Sequence, residues 1–457
     1  MHKHALKVVL VLACLTASAC KTSDVREDAQ LDMPTDWSES IPVAARSDVL
    51  WTSFDDPILQ GLITEGLANN PGLQSTRLSL EAANIAIEDV EARRGVIVSA
   101  TGPNIGVSEG KARDLSGFVS LSGGASYEID LWGRLATNVA LSELSYANVE
   151  QNIRTARISL AGQIAQTYFD LRVDDALLEL QIDQLGLIRR QRDVAQVRFD
   201  AGVRTRLSVA QFDVEIQSLL SGIETTIARR RQSEQTLAIL LGQSPQSFSI
   251  DAIPLILFEI PRVSPDTPLQ VLARRPDVRV AEFGLARADL SVLQARRAFL
   301  PTIGVGVSGS LSGDLAELLA APVSSWSVFA DLANTLLDNG RRDRSLRAQL
   351  ISAEQAVLLY HSVVLSALQD VEGALVEQNS NIRRTEIQTL QLAQQEDLAR
   401  QTQAQFEAGV LSADDLIREQ RTALNLREQE IRNWRAGLSV TIRLLRGLGI
   451  DPDLVLD

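Results

Sequence analysis

Arg198-Phe-Asp-Ala-Gly-Val203 matches Gln405-Phe-Glu-Ala-Gly-Val410, and the two stretches stand 207 residues apart. The same offset carries Gly133-Arg134 onto Gly340-Arg341, Leu241-Gly242 onto Leu448-Gly449 and Pro245 onto Pro452. One constant shift over more than 100 residues leaves no room for a net insertion, so the chain is two copies of one structural unit. Elsewhere the offset changes. Pro103-Asn-Ile-Gly-Val107 matches Pro301-Thr-Ile-Gly-Val305 at 198, and Asn70-Pro71-Gly-Leu73 resembles Arg275-Pro276-Asp-Val278 at 205. On this alignment the first copy is seven residues longer between its two prolines, about two helical turns. It is nine shorter from the second proline to the Gly-Arg pair, as a loop difference would be.

No proline interrupts 134–244 or 323–451. In the first copy Ile164, Tyr168, Leu171, Asp175, Leu178, Ile182 and Leu185 recur at steps of four and three; Val364, Leu368, Val371, Leu375, Gln378 and Ile382 do so in the second. A mean step of 3.5 residues is the coiled-coil period. Gly202 and Gly409 occupy equivalent positions and read as the turns of two helical hairpins, because glycine tolerates positive φ. A helix over 134–200 would span about 100 Å, far more than a globular core needs. Such helices suit a solid coiled coil as well as the wall of a passage, and periodicity does not choose. Arg229-Arg-Arg231 reads as a solvated helix face.

Between the helices the period changes to two. Val119, Leu121, Gly123, Ala125, Tyr127, Ile129 and Leu131 alternate with Ser120, Ser122, Gly124, Ser126, Glu128 and Asp130. Ile303, Val305, Val307 and Leu311 alternate with Thr302, Gly304, Gly306, Ser308 and Ser310. Trp326, Val328, Ala330 and Leu332 alternate with Ser325, Ser327, Phe329 and Asp331, and 103–108 is a weaker fourth run. Strands of about ten residues, apolar on one face and small or polar on the other, fit a membrane barrel and fit a half-buried sheet equally well. Four strands cannot close a barrel, since the smallest need about eight. If these strands lie in lipid, several chains must share one barrel, because open sheet edges there leave backbone groups unsatisfied at several kcal/mol each. Residues 111–117 and 312–325 then form the outward loops, the second longer.

The N-terminus reads as an export signal: His2, Lys3, His4 and Lys7, an apolar run over 8–15, then Thr16, Ala17, Ser18, Ala19 and Cys20. Cleavage before Cys20 would free its thiol for a lipid, and Lys21, where an Asp would signal inner-membrane retention, favours the outer membrane. Cys14 is an alternative anchor with a very short apolar run, and an ordinary signal with an incidental cysteine is another. Removing 1–19 takes the net charge from −14 to −16 and leaves Cys20 and His361 as the mature cysteine and histidine. That excludes a Cys/His zinc site, a disulfide and a Ser-His-Asp or Cys–His enzyme on any motif visible here. No metal or cofactor is expected. The acidic balance argues against a nucleic-acid partner and would favour cations in any passage the chain lines. No uninterrupted apolar run of about 18 follows the signal, so no membrane-crossing helix is expected.

Phe54-Asp-Asp-Pro57, Asn69-Asn-Pro71, Tyr127-Glu-Ile-Asp-Leu-Trp-Gly-Arg134, Arg274-Arg-Pro-Asp277, Ala298-Phe-Leu-Pro301, Asn339-Gly-Arg341 and Phe406-Glu-Ala-Gly409 resemble, in this order, the signatures of the outer membrane efflux factor family. These TolC-like proteins include a lipoprotein, NodT-type branch serving RND-type pumps. The likeness covers nearly the whole mature chain. It implies a mainly α fold with a transmembrane β part: a homotrimeric α/β barrel, each repeat giving two strands and long coiled-coil helices of a periplasmic tunnel. It implies these divisions: signal 1–19; lipid-anchored linker 20–53; first repeat 54–261 with strands near 101–131 and a hairpin near 134–244; second repeat 262–452 with strands near 300–337 and a hairpin near 341–449; and a tail 453–457. It implies a passive efflux channel for drugs or other small molecules, fixed in outer-membrane lipid and partnered by an inner-membrane RND-type pump and a periplasmic adaptor. The adaptor would meet the hairpin tips at Gly202, Val203, Thr205, Gly409, Val410 and Ser412. Asp414, Asp415 and Arg418 would form a periplasmic gate that coiled-coil rotation opens. Asp415 aligns with a family gate acid. Ser208 departs from the pattern in the first copy, and Arg418 stands where some members carry a second Asp; it is placed to pair with Asp414 at i, i+4. The exit duct of a type I secretion system and a pore-less periplasmic coiled coil are the competing readings.

Overall fold

The computed structural model describes residues 29, 31–39, 51–109, 115–252, 257–313 and 323–452, and the side chains of these apart from 105–118. Cys14, Cys20, the signal, most of the linker, the tail 453–457 and the middles of both strand loops lie outside these residues.

After a 3-10 turn at Trp51–Phe54, the chain runs α1 (Pro57–Asn69), α2 (Pro71–Ala92), β1 (Ile97–Glu109), β2 (Leu115–Ile129), α3 (Arg134–Asp200) and α4 (Arg206–Leu240). The second copy runs α5 (Pro268–Arg274), α6 (Pro276–Arg297), β3 (Thr302–Gly313), β4 (Val323–Ala333), α7 (Arg341–Glu407) and α8 (Ala413–Gly447). Equivalent long helices have equal lengths: 67 residues for α3 and α7, 35 for α4 and α8, and 22 for α2 and α6. The six glycines with positive φ are three pairs at the 207 offset: Gly133 and Gly340, Gly202 and Gly409, Gly242 and Gly449.

Equal α2 and α6 correct one expectation. The helix carries no two extra turns, and β1 and β3 also begin at offset 205. The match of Pro103 to Pro301 is a likeness out of register. Pro301 stands just before β3, whereas Pro103 lies inside β1, where pairing to β2 slips between Thr101 and Asn104. A residue with no N–H is accommodated at such a bulge on an edge strand. The strands also reach further than expected, into both proposed loops, and β1 starts at Ile97.

The chain divides into two compact units, each built from both repeats. One gathers residues 77–151 and 279–363 with the N-terminal stretch to Asp32, and holds the sheet, most of α2, nearly all of α6 and the sheet-side ends of α3 and α7. The strands pair antiparallel in the order β1-β2-β3-β4, so β2 and β3 join the repeats and β1 and β4 are edges. Asp130 accepts hydrogen bonds from the amides of Leu135 and Ala136 at the start of α3, and Asp338 from those of Gly340 and Arg342 at the start of α7. The Arg342 guanidinium, donating at 2.7 Å, holds the Asp338 carboxyl below the usual carboxylate range. Trp132 Nε1 donates to Pro301 O at 2.7 Å and fixes the joint across the repeats.

The other unit gathers 33–76, 152–278 and 364–457. Its core closes around Tyr168 and Phe169, with Phe169 5.4 Å from Phe54 and 5.9 Å from Trp434 between ring centroids. On α7 the buried residues Val364, Ala367, Val371, Ala374, Gln378 and Asn381 mark a heptad seam. Gln378 turns its amide to both backbone groups of Val263, which satisfies a polar side chain inside that seam. On α3 the seam is wider than expected, taking in Phe169, Val173 and Leu177, while Ile182 is 56% exposed. Arg229 and Arg231 are exposed, as a solvated face requires, but Arg229 and the half-buried Arg230 also pair, with Asp174 at 2.6 Å and Asp175 at 2.5 Å, because the antiparallel hairpin lays those positions of α4 against α3. Arg275, from the Arg-Arg-Pro-Asp stretch, is buried between Asp277, Asp370 and the carbonyl of Gly447.

Among the described residues one helix, α7, is long and apolar enough to cross a membrane by length and composition. Glu354, Gln355 and His361 break its apolar run without lowering the average far, which is why a search for uninterrupted runs passes over it.

Candidate membrane sheet and hairpin tips

Register fixes which residues share a face of the sheet. Leu121, Ala125, Tyr127 and Ile129 on β2 stand beside Leu311, Val307, Val305 and Ile303 on β3. Trp326, Val328, Ala330 and Leu332 continue that face on β4. It is an apolar surface turned to the outside: Trp326 is 81% exposed, Val328 74% and Leu332 69%. The opposite face carries Ser120, Ser122, Gly124, Ser126 and Glu128, then Ser312, Ser310, Ser308, Gly306, Gly304 and Thr302, then Ser325, Ser327, Phe329 and Asp331. Serine hydroxyls pair across the strands, Ser308 with Ser327 at 2.9 Å and Ser310 with Ser325 at 2.8 Å. A bare apolar face of this extent fits a hydrocarbon surrounding, and a hydroxyl face fits water.

The two hairpin tips share one backbone design. In the first, Gly202 N bonds Phe199 O and Val203 N bonds Arg198 O, both at 2.8 Å. In the second, Gly409 N bonds Phe406 O and Val410 N bonds Gln405 O, both at 2.9 Å. Each turn closes through a left-handed glycine, φ +73° and +76°, with open space where a Cβ would stand.

The gate residues divide their roles differently from expectation. Asp415 serves a capping box at the start of α8: Ser412 Oγ receives its amide, while its carboxylate receives the amide and hydroxyl of Ser412. These bonds from Ser412, with Arg418 at 2.9 Å, hold the Asp415 carboxyl below the usual range. Arg418 therefore pairs with Asp415 and not with Asp414. Asp414 is turned away, bonded to Arg198 and 3.5 Å from Arg204. It ties the second hairpin to the first. Further along the same seam Arg421 bonds Gln191 and Glu215, and Gln184 bonds Asn425.

Sequence reasoning missed Arg198 and Arg204. The signal was present: Gln184, Gln191 and Arg198 recur every seven residues on α3. Val203, Thr205, Val410 and Ser412 lie on the tips as expected, Val203 and Val410 exposed. Cys20 lies outside the described residues. His361 Nε2 is buried beside the Tyr360 ring without a hydrogen-bond partner among the described residues. Among the described residues no cluster of His, Cys, Asp or Glu could hold a metal.

Paired hairpins of this length, joined to a sheet with one lipid-suited face, define a class: outer-membrane channels with a helical extension. The chain belongs to the outer membrane efflux protein family, whose profile it matches over residues 62–243 and 267–449. It is 28% identical to outer membrane protein OprJ of Pseudomonas aeruginosa over 429 residues, 90% of this chain and 88% of that one. It is 26% identical to nodulation protein T of Rhizobium leguminosarum bv. trifolii, with 96% of each covered. The outer-membrane channel OprN has the same fold, with a TM-score of 0.79 at 23% identity over 92% of this chain and 98% of that one. The protein is an outer-membrane channel component of efflux. That sets aside the pore-less coiled coil.

Proposed function

We propose that the chain is the passive outer-membrane duct of a three-part, RND-type efflux system, anchored by a lipid on Cys20 and working as a homotrimer. One observation carries this reading: among the described residues the sheet has two unpaired edges, β1 and β4, and a bare apolar face. Three such sheets, edge to edge, make twelve strands, enough to close a barrel around water, with every edge group paired. The helices continue the passage into the periplasm. An adaptor docks on the tips around Gly202, Val203, Thr205, Gly409, Val410 and Ser412, and the pump supplies energy. Among the efflux channels this chain resembles is the toluene efflux pump outer membrane protein TtgC of Pseudomonas putida, and small hydrophobic or amphipathic molecules are the cargo we infer.

The tie between Asp414 and Arg198 with Arg204 holds the tip shut until the adaptor displaces it. Asp415 supports the tip by capping α8, with Arg418 steadying its carboxylate. The test is native mass measurement in detergent followed by planar-bilayer recording. A trimer with a low basal conductance is expected, raised by Asp414→Ala. Monomers that pass no current would end the reading.

A further inference from the structure

On the hydroxyl face of the sheet two side chains do not belong to the Ser/Gly pattern. Phe329 lies across Gly306, its cross-strand partner, so closely that a Cβ there would stand 2.6 Å from the ring's Cζ. Asp331 lies across Gly304 in the same way, and a Cβ at that glycine would overlap its carboxylate. The two glycines leave the space over β3 into which both side chains lean. Both sit at the helix-side end of the sheet, near the starts of α3 and α7. Two acids occupy this end of the face. Glu128 is neutralised by Arg134, bonded at 2.6 and 2.8 Å. Asp331 has no hydrogen-bond or ion-pair partner among the described residues.

We propose that Phe329 and Asp331 form the selectivity ring of the barrel, a lining that favours aromatic and lipophilic cations. This rests on the trimeric barrel proposed above, which turns the hydroxyl face to water and brings three copies of each side chain around one axis. A phenyl ring presents a negative π-face to a cation. An unpaired carboxylate beside it adds a full charge, and a ring of three attracts cations into the passage. The space over the glycines matters because it keeps the rings against the wall. The passage stays open while each ring, 42% exposed, remains within reach of cargo.

The test uses the full-length trimer in planar bilayers, with tetraphenylphosphonium as probe. In the wild type we expect cation-selective current and block by the probe. Asp331→Asn should lower the cation-to-anion permeability ratio and weaken block. Phe329→Leu, which keeps an apolar side chain and loses the π-face, should weaken block about fivefold while leaving the permeability ratio unchanged. Native mass measurement confirms that each variant is still a trimer. A conducting wild type whose block and permeability ratio match those of both variants overturns the selectivity ring and leaves the duct standing. A wild type that passes no current overturns both.

Discussion

The two hairpin tips have the same backbone and different chemistry. Each closes on a left-handed glycine with the same carbonyl partners. The first tip opens α4 at Thr205, which makes no side-chain cap, and Ser208 only bonds back to the Thr205 carbonyl at 2.7 Å. Its charges at the turn include Arg198, Arg204 and Arg206. The second opens α8 with a full capping box and places Asp414 and Asp415 in the first turn. Duplication fixed the shape of both tips. Divergence made one basic and loosely capped and the other acidic and firmly capped, so that the two hold each other through Asp414.

The shared part of that design should be the most sensitive to change. Gly202→Ala and Gly409→Ala meet no steric obstacle, since nothing lies within 4 Å of either Cβ. Only the left-handed φ opposes them, at about 1–2 kcal/mol. Hydrogen exchange at the two turns should therefore accelerate by about tenfold in either variant, and by the same factor in both. An effect at one tip alone would mean that the turns are not equivalent.

The caps separate the tips. Ser412→Ala removes both bonds of the Ser412 hydroxyl with Asp415, leaves the backbone half of the α8 box, and should cost about 1 kcal/mol, seen as about fivefold faster exchange in the first turn of α8. Thr205→Ala should change α4 by only a few tenths of a kcal/mol, because no side-chain cap is there to lose. Equal responses would dissolve the contrast.

Acid should separate them next. The folded Asp415 carboxyl is held below its ordinary value, first by the Ser412 hydroxyl. A depressed carboxylate adds stability that is fully present above the unfolded value, near 3.9, and is lost as pH falls through the folded one. Exchange at the start of α8 should therefore rise below about pH 4. The start of α4, which has Ser208 at the equivalent place, should show no such step.

Much of this is legible in the sequence. The 207 offset paired all six glycines that the fold holds left-handed, though only Gly202 and Gly409 were read as turns; a turn that needs positive φ keeps its glycine in both copies. Period-two alternation gave the two faces of β2, β3 and β4, because strand geometry leaves a side chain no choice of side. The start of β1 was hidden because Pro103, displaced by a bulge, imitated Pro301. The partner of Asp414 was hidden for a different reason. Spacing on one helix predicts neighbours at i, i+4, but Arg198 reaches it from another helix 216 positions away. Heptads say which residues face a seam and nothing about which seam.

The smallest effect tests that last point. Arg418 was expected to hold Asp414, and it stands instead beside Asp415 with its own side chain 66% exposed. Exposed pairs at this spacing contribute little, and Asp415 keeps its two bonds from Ser412 without it. Arg418→Ala should leave both exchange at the tip and basal conductance unchanged within error. Arg198→Ala, which removes the nearer of the two cations that Asp414 uses, should raise conductance in the direction that Asp414→Ala does, and the double variant should add nothing to Asp414→Ala. If Arg418→Ala opened the channel while Arg198→Ala did not, the tie would run within the second hairpin, and the basic character of the first tip would have no part in closing it.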